Sequence, residues 1–170
     1  MKRTKIFDVN VEISNKDKIK GPLTCFGKTY ITKGFLNSKD LDSNAKKFIL
    51  KHERYHQLTH RRKLFLALSI GIFIISFCVD TFIGRGNILV SLMLSIVVSI
   101  FSAIPLTFSI TYEDEIQADL FASKELGKNK AITAIKTIQK SKLGQKFNKS
   151  IFHRMTHPTL EQRLNLIKSI

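Results

Sequence analysis

The sequence predicts an α+β fold interrupted by a two-helix transmembrane hairpin, and three observations carry that expectation. Two runs, residues 64–83 and 88–110, are almost free of charge and hold 20 and 23 residues. Either matches the ~20 residues that cross a ~30 Å hydrocarbon core at ~1.5 Å per residue. Ahead of them, apolar residues alternate with polar ones at Phe7, Val9, Val11 and Ile13, the period-two pattern of a half-buried strand. Behind them, apolar residues recur at helical spacing, punctuated by Gly127 and Pro158. The chain therefore divides into an N-terminal half over 1–63, the hairpin over 64–110 and a C-terminal helical half over 111–170.

Taken in order, the strand around Val9 gives way to a polar loop over 15–20, and Gly21-Pro22 punctuates. Residues 23–26 and 29–32 flank Gly27-Lys28 and read as a β-hairpin, which Gly34 closes. Asp42 or Ser43 is placed to cap the next helix, which carries Phe48 and Ile49 and meets no Gly or Pro before Gly71. That helix is expected to run continuously, or nearly so, through His60-Arg61-Arg62-Lys63 into the first span. Pro105 should kink the second span. A helix over 113–126 then ends at Gly127, a natural C-cap. Residues 131–138 set Ile132, Ile135 and Ile138 on one side of another helix. Pro158 suits the first turn of a last one, striped by Leu160, Leu164 and Ile167.

The formal charge is +15, and 27 of the 28 Lys and Arg residues lie outside 64–110; Arg85 is the exception. By the positive-inside rule both termini are expected in the cytoplasm, with 84–87 a short external turn. Asp80 lies near the far end of the first span, where the outer interface and Arg85 would receive it. The basic surplus suits anionic headgroups of a lipid bilayer. No helix-turn-helix or base-stacking motif points to nucleic acid. Lys2, Arg3 and Lys5 stand in an N-terminus with no apolar run, so no signal peptide is expected. Cys25 and Cys78 lack metal-ligand spacing and are expected to be structural thiols, not a disulfide.

The chemistry sits in Lys51-His52-Glu53-Arg54-Tyr55-His56, which reads H-E-x-x-H. Positions four apart share a helix face, so His52 and His56 can offer two imidazoles to one Zn²⁺, with Glu53 beside them to take a proton from water. A zinc site needs a third ligand. A histidine six residues after the second is excluded, because Arg62 stands there. A Glu from a later helix is the other solution, and E-x-x-A-D occurs downstream from Glu115 to Asp119.

With these two motifs in this order, the chain resembles the M48 family of integral-membrane metallopeptidases. Thr156-His157-Pro158 with Arg163 looks like the M48 ending, and residues 27–34 (GKTYITKG) are similar to the strand before the M48 zinc helix. The resemblance implies a zincin-like (gluzincin) domain and a zinc endopeptidase acting on a peptide or membrane-protein substrate at the cytoplasmic membrane face. It implies His52, His56 and Glu115 as metal ligands and Glu53 as the general base. Asp119, four residues from Glu115, would hydrogen-bond a ligand histidine and fix its tautomer. His157 would act catalytically, on the oxyanion or as a gate, and Arg163 would anchor Asp119 or orient substrate. Thr29, Tyr30, Ile31 and Thr32 would form an edge strand beside the cleft, to which an extended substrate could add. Glu113 and Asp114 are expected to be solvated, and His60 to lie at the juxtamembrane surface.

The layout is more distantly similar to the M56 family of receptor protease domains; the Thr156-His157-Pro158 and Arg163 pattern favours M48. Arg54-Tyr55 inside the motif and the absence of an Asn-Ala-Phe approach depart from the M48 pattern. A reading from another class is a non-catalytic membrane protein with a structural zinc site. Glu53 argues against it, since a structural site has no use for that carboxylate.

Overall fold

The structure, a computed structural model, describes residues 2–15, 21–25, 27–59, 61–83, 88–149 and 157–170. His60, Arg85, His153, Thr156 and the turn expected at 84–87 lie outside the described residues, as does most of the loop expected at 15–20.

Two units emerge. The first joins residues 1–59 with 112–170, and the second holds 60–111. The first begins with a four-stranded sheet of β1 (Lys2–Ile6), β2 (Val9–Ser14), β3 (Leu23–Cys25) and β4 (Lys28–Thr32). Their order is β1-β2-β4-β3: β1 and β3 pair antiparallel with their neighbours, while β2 and β4 run parallel.

The strand expected around Phe7 starts at Val9. Phe7 and Asp8 instead make the β1–β2 turn, both with positive φ (47° and 65°). Primed two-residue turns need that handedness to match the strand twist, and Gly or Asn normally supplies it. Here the turn is held from outside, by Lys47 Nζ 5.2 Å from the Phe7 ring centroid and by Lys51 Nζ 3.9 Å from Asp8.

The helices of this unit follow. A single turn, α1 (Lys33–Leu36), takes up Gly34, and α2 spans Ser43–Leu58. Asp42 caps α2, its carboxylate accepting from Ala45 N at 2.6 Å. After α4 (Ile88–Leu126) come α5 (Lys128–Lys140), α6 (Lys142–Lys149) and α7 (Leu160–Ser169). Thr159 closes a reciprocal capping box with Gln162 at the start of α7. Val9, Val11, Ile31, Phe35, Phe48, Leu50, Ile135 and Ile167 are at most 2% exposed and form one core between the sheet and helices α2, α5 and α7.

In the second unit, α3 spans Arg61–Ile83, and α4 begins at Ile88 and continues without interruption to Leu126. The helix expected to run continuously, or nearly so, into the first span is interrupted: α2 stops at Leu58, where Thr59 turns extended (φ −87°, ψ 141°), and helix resumes at Arg61.

Ser91 and Ser95 are buried in this unit, and Ser95 Oγ lies 3.0 Å from Asp80 Oδ2. Asp80 thus has a hydroxyl partner on the facing helix. The apolar side chains turn the other way: Phe82, Met93 and Phe101 are 86%, 71% and 74% exposed. The side chains described run from 67 to 82 in α3, and from 88 to 102 and 108 to 126 in α4. Among the described residues, no helix is long and apolar enough to cross a membrane. Cys78 is a free, exposed thiol; the side chain of Cys25 is outside the description.

Candidate metal centre

Ala45 and Phe48 pack one face of helix α2, and the same face carries His52 and His56, each 7% exposed. Burying two imidazoles costs free energy unless both ring nitrogens find partners. They find them on α4. Glu115 and Asp119, four residues apart, present two carboxylates to α2 and are 4% and 0% exposed.

The Nε2 atoms of the two histidines are 3.2 Å apart. Glu115 Oε2 lies 3.0 Å from His52 Nε2, and Glu115 Oε1 lies 3.4 Å from His56 Nε2. These three residues form the one group among the described residues whose nitrogen or carboxylate atoms could hold a single metal ion. A tetrahedral site with bonds of ~2.0–2.1 Å has ligand–ligand edges of about 3.3–3.4 Å. The observed separations, each to one or other oxygen of Glu115, fall near such edges, and the two-imidazole, one-carboxylate donor set suits zinc. The residues present therefore fit the ion.

Behind each imidazole stands another carboxylate. His52 Nδ1 is 2.8 Å from Asp119 Oδ1. Arg163 Nε donates to Asp119 Oδ2 at 2.6 Å, and its Nη2 makes a second contact with Oδ1. The bidentate fork neutralises a carboxylate with no access to water. His56 Nδ1 is 2.9 Å from Asp114 Oδ2. The expectation that Asp114 is solvated is thus corrected: it is 4% exposed and faces the second histidine. Its place next to Glu115 on α4 puts it one step, about 100°, around the helix, where His56 rather than water receives it. Glu113 remains exposed.

Electrostatics follow from this crowding. Burial alone would lower the His52 pKa, but the Glu115 charge and the Asp119 and Glu115 hydrogen bonds outweigh it and lift the ring to about 10. His56 is raised against the same burial by its bonds to Asp114 and Glu115. Burial pushes the Glu115 carboxyl up, yet the His52 charge, with hydrogen bonds from His157, His52 and His56, holds it well below the usual carboxylate range. Asp119 is lowered, chiefly by Arg163 working against burial. The arginine is raised in turn by Asp119, and more weakly by Glu115 and Glu53. Glu53 is half-buried, and its backbone carbonyl accepts from Thr24 Oγ1 at 3.3 Å.

His157 reaches the centre as well: its Nε2 is 3.2 Å from Glu115 Oε1, and its side chain is 27% exposed. Thr29, Tyr30, Ile31 and Thr32 are not an edge strand. They lie in β4, which pairs with β2 on one side and β3 on the other. β2 pairs the whole of 29–32 and β3 covers Lys28–Tyr30 on the other side, so an extended peptide cannot add along Thr29 and Tyr30. The edge nearest α2 is β3, where Thr24 bonds both Thr29 Oγ1, at 2.6 Å, and the Glu53 carbonyl. Parallel pairing of β2 with β4 is a non-local event with no mark in the local alternation, and it moves inside the sheet the strand that the resemblance places at its edge.

No curated protein and no solved structure matches the chain. One family model does, from Gly21 to the last residue, so that it takes in α2, α4 and α7, the three helices whose side chains meet at His52. With residues 21–170 matched, the chain belongs to peptidase family M48.

Proposed function

We propose that this protein is a membrane-embedded zinc-dependent endopeptidase that hydrolyses peptide bonds at the cytoplasmic membrane face. Members of family M48 are zinc metallopeptidases. The observation that carries the reading for this chain is the meeting of His52 Nε2, His56 Nε2 and the Glu115 carboxylate near tetrahedral edge lengths, one residue from Glu53.

His52, His56 and Glu115 would hold the ion. Zn²⁺, when bound, supplies Lewis acidity that polarises a carbonyl and lowers the pKa of water toward neutrality. Glu53 takes the proton of the attacking water on its carboxylate and delivers it to the leaving amine nitrogen. Asp119, clamped by Arg163, holds the His52 ring with Nδ1–H pointing outward and its Nε2 lone pair pointing inward. His157, beside Glu115 and partly exposed, is positioned to donate to the carbonyl oxygen as negative charge builds there. An extended substrate adds along β3, the outermost strand of the sheet among the described residues, whose Thr24 is tied to the Glu53 carbonyl.

The membrane assignment rests on the near-uncharged runs 64–83 and 88–110, the basic residues flanking them, and the outward-facing Phe82, Met93 and Phe101. Both termini and the site are assigned to the cytoplasm. In a Cys78→Ser background, a cysteine at Asn87 should label from outside the cell while terminal tags do not; labelling of a terminal tag reverses the orientation.

The decisive experiment is Glu53→Gln in the full-length protein in liposomes, with an unstructured test polypeptide. It should keep about one zinc per chain yet cut ~10²–10⁴-fold more slowly, the loss typical of a missing general base. His52→Ala should lose metal and activity together. Equal cutting by wild type and Glu53→Gln would remove Glu53 from the mechanism.

A further inference from the structure

Asp114 is the buried charge that the roles above leave unused. A carboxylate only 4% exposed carries a large desolvation cost unless a strong partner offsets it. Its Oδ2 is 2.9 Å from His56 Nδ1, on the side of the ring opposite Glu115 and the other histidine. We propose that Asp114 is a positioning residue for the metal site. It accepts the Nδ1–H of His56, so that the Nε2 lone pair is fixed toward the ion.

The geometry has a counterpart on the other ligand. Asp119 stands behind His52 at 2.8 Å, and Asp114 behind His56 at 2.9 Å. One helix, α4, therefore supplies a direct carboxylate, Glu115, and a backing carboxylate for each imidazole, at positions one before and four after it. Neutral imidazole has two tautomers, and only the one protonated on Nδ1 presents Nε2 to a metal. With both rings held this way, the donor set is organised before the ion arrives. An anionic acceptor also raises the basicity of the imidazole it holds. Asp114 thus adds affinity for zinc without touching it.

This role rests on the zinc-peptidase reading, and the test separates the two. The full-length protein in detergent would be stripped of metal and titrated with zinc against a chromophoric chelator. Co²⁺ would be added in parallel, for its absorption spectrum. Wild type should bind one ion. Asp114→Ala should bind 10–100-fold more weakly, the usual cost of losing an outer-shell partner, with an altered Co²⁺ spectrum at saturation. Asp114→Asn keeps a carbonyl oxygen of the same reach and should recover most of the affinity and the wild-type spectrum. Melting of the metal-free variants reports folding independently.

Zinc affinity and Co²⁺ spectrum unchanged in Asp114→Ala would overturn the role. So would equal losses in Ala and Asn accompanied by equal losses in metal-free stability, since packing alone would explain them. Failure of the wild type to bind zinc would instead sink the peptidase reading, and this role with it.

Discussion

The two units put their apolar side chains in opposite places. In the first, Phe35, Phe48, Leu50, Ile135 and Ile167 are wholly buried around the sheet and helices. In the second, the buried positions include Ser91 and Ser95, while Ile75, Phe82, Met93 and Phe101 point outward. One chain thus contains a domain with an oil-in core and a hairpin with a polar seam and an oily exterior. Water explains the first arrangement, since burying apolar area there is favourable. It does not explain the second. An exterior of that kind suits apolar surroundings, which is the reasoning behind the proposed bilayer.

The contrast can be broken by paired truncations. Phe48→Ala, in the core of the first unit, should lower stability by ~3–5 kcal/mol, the transfer and cavity cost of a buried aromatic. Phe82→Ala, in the second, should change stability in detergent by no more than about 0.5 kcal/mol, as for an exposed position. Denaturant titrations of both variants, followed by a probe in the first unit, decide it. Equal losses would mean that the hairpin is packed by protein and not by its surroundings.

A second test uses pH, because only the first unit carries the histidine cluster. In the metal-free protein His52 is held near 10, above its ordinary 6.5. Its protonation therefore stabilises the fold fully below about 6.5, and that contribution is lost as pH rises through about 10. The melting temperature of the metal-free protein should fall over that interval, and a His52→Gln variant should flatten the profile. Zinc requires the neutral ring, so metal uptake at pH 7.5 should release on the order of one proton or more per ion, measurable by calorimetry in buffers of different ionisation enthalpy.

A more modest loss sharpens the comparison at the start of α2. Asp42→Ala removes the cap on Ala45 N and should cost ~1 kcal/mol, mostly in the first unit. A loss above about 2 kcal/mol would show that Asp42 does more than cap, perceptible also at Thr137, whose Oγ1 is 3.4 Å from its other oxygen.

Local chemistry was legible where it depends on near neighbours. H-E-x-x-H and E-x-x-A-D each lie within one helical turn or slightly more, and helix geometry alone puts their residues on one face. Asp42 and Gly127 could be placed because caps answer to a few adjacent amides, while the last helix starts two residues later than Pro158 suggests, behind the Thr159 cap. Pairings across long stretches of sequence were not legible. β1 reads as a basic tail, because Lys2-Arg3-Thr4-Lys5 is the composition of an exposed edge strand and not of a core. Whether 29–32 lies inside or at the edge depends on β2, and no pattern within 29–32 encodes it. Asp114 sits in the run Glu113-Asp114-Glu115, where charge suggests water; only the meeting with α2 shows that its oxygen is taken by His56.

The clamp on Asp119 has a consequence in time. Arg163 and His52 are 111 residues apart, and both converge on the same aspartate. A chain emerging from the ribosome presents its N-terminal parts first, at ~5–20 residues per second. His52 and His56 are made long before Glu115, and Glu115 before the arginine that neutralises its neighbour. Until Arg163 has been made, Asp119 lacks its guanidinium partner, so the contacts that hold His52 in place are completed only after residues 52, 119 and 163 have all emerged.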